Sequence, residues 1–117
     1  MLEDKAVELG RLIGQSDEYR AVKRTTETLN GDREATALLQ TMEQLRGDAE
    51  AMMKRGERPS AEMEQQLDDL LMKIQAQPAY QSAIVAQDNF DKLMLRVNQW
   101  IADGIRKGAT SGIITLG

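Results

Sequence analysis

The sequence predicts an all-α protein: an antiparallel helical bundle of about five helices, two of them long, that associates as a homodimer. Three observations carry this. Apolar residues recur every third or fourth position through five segments. Glycine, proline and capping residues separate those segments. The two longest segments outrun the partners available within the chain.

The 117 residues suit one domain. Apolar residues make up 41% of them and aromatics only 3%, so the core is built from Leu, Ile, Val, Ala and Met. Charged residues reach 29%, and a mixture rich in Ala, Glu, Leu, Lys and Arg favours helix.

The first segment runs from about Leu2 to Ile13, with Leu2, Ala6, Leu9 and Ile13 on one face and Glu3 and Asp4 in a first turn that welcomes acids. Ser16 caps the second, where Tyr19, Val22, Thr26 and Leu29 keep the period. Asn30-Gly31 reads as a left-handed stop. Asp32 restarts the chain at once, and this hinge is expected to fold the second helix back along the third. The third segment reaches about Arg55 through Ala35, Leu38, Met42, Leu45, Ala49 and Met52, and would be roughly 35 Å long. Gly56 ends it. Ser60 caps a fourth segment carrying Met63, Leu67, Leu70 and Ile74. Pro78 opens the fifth, which runs to Lys107 on Tyr80, Ala83, Gln87, Phe90, Met94, Val97, Ile101 and Gly104, for roughly 45 Å. Residues 1–107 thus form one helical domain. Residues 108–117, Gly-rich and then β-branched, read as a flexible tail or as a segment whose Ile113, Ile114 and Leu116 dock on a neighbour.

Composition also excludes mechanisms. With no cysteine and no histidine, thiol nucleophiles, disulfides, imidazole bases and Glu-x-x-His metal motifs are absent. Asp68-Asp69 and Glu62 with Glu64 do not converge on a point, because adjacent helical residues diverge by about 100°. They read as a solvated face. Gly104 and Gly108 lack the strand and the Lys-Ser pattern of a phosphate loop. The chain is expected to be no enzyme, to need no cofactor and no metal, and to stay off the membrane in the cytoplasm. A net charge of −4 disfavours direct contact with nucleic acid except at a local patch.

Two clusters remain. Arg20, Lys23 and Arg24 share one side of the second helix, with Arg33 just past the hinge. They are candidates for docking a partner, against a plainer reading as a solvated face paired with Glu27 and Glu34. Met42, Met52, Met63 and Met94 fall on seams, where methionine fills gaps. Seams that outrun their intrachain partners call for another copy. The dimer interface is assigned to Met53, Met72, Met94, Val97, Trp100 and Ile101. Core burial is an equal alternative for Trp100 and the plainer one for Met94.

The order of these elements resembles the YlbF/YmcA family of small bacterial helical proteins. Ala6, Leu9 and Ile13 carry the resemblance, with Ser16-Asp17-Glu18-Tyr19 standing for the family's Ser-x-Glu-Tyr element. Leu29, Asp32, Glu34-Ala35, the Gly56 break and Pro78-Ala79-Tyr80 complete it, so that it spans about Leu2 to Lys107. The resemblance implies a dimerising helical fold and a non-catalytic adaptor. Such adaptors assemble with partner proteins and influence ribonuclease-dependent mRNA processing, and through it competence, sporulation and biofilm formation in Bacillus-like bacteria. Some members carry cysteines, chiefly toward the C-terminal end, that help hold iron–sulfur clusters. This chain has none, so that role does not carry over. Direct RNA binding through the basic cluster and a purely structural oligomer are the alternatives.

Overall fold

The computed structural model describes the backbone of residues 1–116 and the side chains of residues 1–110. Five helices follow one another: α1 (Leu2–Gly14), α2 (Asp17–Gly31), α3 (Arg33–Lys54), α4 (Ala61–Gln75) and α5 (Pro78–Leu116). No strand occurs among the described residues.

The caps explain the breaks. The Ser16 and Ser60 hydroxyls each accept a backbone N–H three residues on, from Tyr19 and Met63, both at 3.1 Å. At the end of α3, Gly56 takes φ 80°, the N–H of Gly56 donates to Met53 O at 3.0 Å, and that of Glu57 donates to Met52 O at 2.9 Å. This pair of bonds is the Schellman closure, which needs a left-handed residue and so favours glycine.

The hinge differs from the expectation. Asn30 and Gly31 stay helical, and Gly31 has no positive φ. The bend falls on Asp32 alone, extended at φ −88° and ψ 107°. Its N–H donates to Leu29 O at 3.1 Å, and its carboxylate accepts from the Ala35 N–H at 3.0 Å. One residue therefore ends α2 and begins α3.

Nor does α2 fold back along α3. Its main neighbour is α5, while α3 pairs with α4; α2 with α3 and α4 with α5 touch less. The helices thus pair as an α3–α4 hairpin and an antiparallel α2–α5 pair rather than closing into a single bundle. Tyr19 meets Phe90 edge-on, with ring centroids 5.6 Å apart, and Arg96 reaches Glu18 at 3.9 Å. The second contact is exposed and adds little stability, but it marks the register. The start of α2 lies beside residue 96, and its end lies beside Pro78 and Ala79, with which Thr28 and Asp32 line a shared groove.

The seam of α3 alternates buried and half-buried from Ala35 to Met52, as its spacing predicts. In α4, Ile74 is buried and Met63, Leu67 and Leu70 are half-buried. The other pair corrects the expected register. Thr25, not Thr26, faces inward, its hydroxyl donating to Ala21 O at 2.7 Å. Ala86, not Gln87, is buried, and the Gln87 amide points out to Asp91 at 2.9 Å. A small side chain lets α2 approach without burying an amide that lacks a partner. Finally, the backbone of α5 continues to Leu116, through residues read above as a flexible or docked tail. The proposed docking of Ile113, Ile114 and Leu116 lies outside the described side chains.

The molecule is long and thin, 69 × 37 × 20 Å, with a radius of gyration of 21.7 Å. A compact domain of this length has a radius of about 13 Å.

Candidate interaction surfaces

Among the described residues no polar or charged side chain is buried, and no group of three or more acidic residues is placed to hold a metal ion. The grooves are open troughs between helix pairs. One, of about 360 Å³, runs along α2 and α5 over Ala21, Thr25, Ser82 and Ala86, with Arg24 and Asn89 on its walls. Another, of about 310 Å³, lies between α3 and α4. Preorganised charge stabilisation works best in water-excluded sites, and these troughs are open to solvent. No helix among the described residues is long and apolar enough to cross a membrane.

The basic cluster stands free. Arg20, Lys23 and Arg24 are exposed on α2, Arg24 at the edge of the groove with α5, and Arg33 is exposed in the first turn of α3. The expected pairing with Glu27 and Glu34 is not made. None of the four cations lies within ion-pair distance of a carboxylate among the described residues.

The six residues expected at a dimer interface divide. Met53 and Met72 are exposed on the α3–α4 hairpin. Met94 is half-buried, and Val97, at 4% exposure, belongs to the chain's own core rather than to a free surface. Trp100 and Ile101 are exposed further along α5. Met53 and Met72 thus lie on α3 and α4, and the other four lie on α5. Sequence reasoning missed Leu2, Val7 and Leu12, exposed on α1, and Ile84 and Val85, exposed on α5. On α1, Leu9 and Ile13 of the expected face are half-buried, while Val7 lies off that face.

Comparison with known proteins gives the lineage. The chain is 22% identical over 109 residues to the UPF0342 protein DSY1594 of Desulfitobacterium hafniense (strain Y51), a match covering 93% of this chain and 83% of that one. Residues 2–106 match the family described as "Control of competence regulator ComK, YlbF/YmcA". That match takes in α1 to α4 and most of α5, hinge and caps included, and this chain belongs to the YlbF/YmcA family.

Proposed function

We propose that the chain is a non-catalytic adaptor that works as a homodimer and docks a partner protein through the basic cluster on α2. One observation carries this reading. The chain exposes 9231 Å², whereas a compact monomer of 13.1 kDa exposes about 6,400 Å². The excess is on the order of 2,800 Å² per chain, against the roughly 1,000–2,500 Å² that each partner buries in obligate assemblies. A chain so open is built to be covered by others. In keeping with the family, the partner belongs to a ribonuclease-dependent mRNA-processing assembly.

Arg20, Lys23 and Arg24 supply the docking charge and Arg33 flanks them. Such a patch steers an acidic partner more than it adds raw affinity. The test is capture from the native host with tagged wild-type chain and with the triple variant R20E/K23E/R24E. Wild type retains a protein partner in stoichiometric amount, and the variant loses it at unchanged thermal stability. A variant that captures as well as wild type removes the patch. Recovery of RNA in place of protein, weakening steeply with salt, replaces the adaptor with a direct RNA binder.

A further inference from the structure

The trough over Ala21, Thr25, Ser82 and Ala86 continues beyond these residues. A second hollow, of about 590 Å³, shares Arg24, Thr25 and Ser82 with it and runs on past Thr28 to Asp32 and Pro78. Together they follow α5 from Pro78 to Asn89, about 16 Å at the rise of a helix. That length accommodates about three turns of a second helix.

The lining is mostly carbon. Val85 is 59% exposed beside the buried Ala86. The Thr25 hydroxyl donates back to Ala21 O at 2.7 Å, and the Gln81 amide donates to Gln75 O at 2.7 Å. Two charged residues line the trough, and they are unequal. Asp32 closes one end, with its carboxylate already accepting from the Ala35 N–H. Arg24 stands on the α2 wall with no carboxylate within ion-pair distance among the described residues, and Arg20, one turn back, is likewise unpaired. Glu27 on α2 and Asp88 on α5 do not line it. Lys23 lies about 100° round the helix from Arg24, away from the trough. Both walls are helices, so no open sheet edge invites an extended peptide. A guest must satisfy its own backbone, as a helix does.

We infer that the α2–α5 trough receives an amphipathic helix of the partner protein, its apolar residues against Val85 and Ala86 and two carboxylates, one turn apart, against Arg20 and Arg24. The inference rests on the adaptor reading and adds the element and the chemistry that the partner brings. The wall selects an acidic guest. A basic helix would set like charge against Arg24, and a purely apolar one would leave both arginines unanswered.

Photo-crosslinking in the native host tests this. The full chain carries benzoylphenylalanine in place of the exposed Asn89, and the peptides joined on irradiation are sequenced. The expected adduct is a segment of another protein with apolar residues every third or fourth position and carboxylates one turn apart. Arg24→Glu and Val85→Glu should each lower its yield more than about tenfold at unchanged thermal midpoint, and Lys23→Glu should leave it unchanged. Should Val85→Glu lower the midpoint, Ser82→Trp replaces it, since it fills the trough from an exposed position. A joined segment of this same chain, a segment without such carboxylates, or no adduct at position 89 overturns the inference. The adaptor reading is judged apart from it. A partner lost by R20E/K23E/R24E and retained by Val85→Glu removes the trough and leaves that reading; a partner retained by both removes both.

Discussion

Asp32 shows how much one residue can decide. Its N–H closes α2 and its carboxylate opens α3, so Asp32→Ala removes a cap and loosens the bend together. The expected loss is about 1–2 kcal/mol of unfolding free energy, with Asn at the same position recovering most of it. Urea titration of the three proteins checks this, and equal losses for Ala and Asn would refute the capping account. Ile74, 3% exposed at the end of α4, is a core position in the ordinary sense. Ile74→Ala should cost about 2–5 kcal/mol by the same titration. Gly56→Ala should cost about 1 kcal/mol for strain alone, because φ is 80° and no neighbouring atom lies where a Cβ would sit. Capping was readable at this scale. Ser16, Asp32, Gly56 and Ser60 all act where their chemistry says they should. Asn30-Gly31 misled because a turn-tolerant pair does not oblige the chain to turn. Asp32, one residue on, already supplied the bend.

Helix faces were readable too, since burial follows the 3.6-residue period. The α3 seam from Ala35 to Met52 is the clearest case. What the period cannot state is which helix covers a face. Val97 and Ile101 look alike in sequence, yet α2 starts beside Arg96, so one is buried and the other is exposed. The small register errors have a related cause. Thr25 against Thr26 and Ala86 against Gln87 are choices between adjacent positions, settled by the approach of a neighbouring helix. The basic cluster was legible as a cluster, whereas its lack of carboxylate partners depends on rotamers that no spacing reveals. Hydrogen exchange tests the element-scale claim. The amides of α1, which buries no residue, should lose protection first, while those of α3 between Ala35 and Ala49 keep theirs. Protection of α1 equal to that of α3 would contradict the claim.

At the scale of the whole molecule, two antiparallel helix pairs joined at Asp32 and at Gln77-Pro78 make a frame 69 Å long and only 20 Å thick. Such a frame has too little interior to hold itself firmly, so its stability should depend on association. The thermal midpoint should therefore rise with protein concentration, as mass action requires for a state that only the assembled form provides. The central claim is that a second copy of the chain covers part of this open frame. Light scattering on the purified wild-type chain addresses it most directly. The account predicts a mass of twice 13.1 kDa that falls toward one chain on dilution; a mass of 13.1 kDa held at every concentration would contradict it.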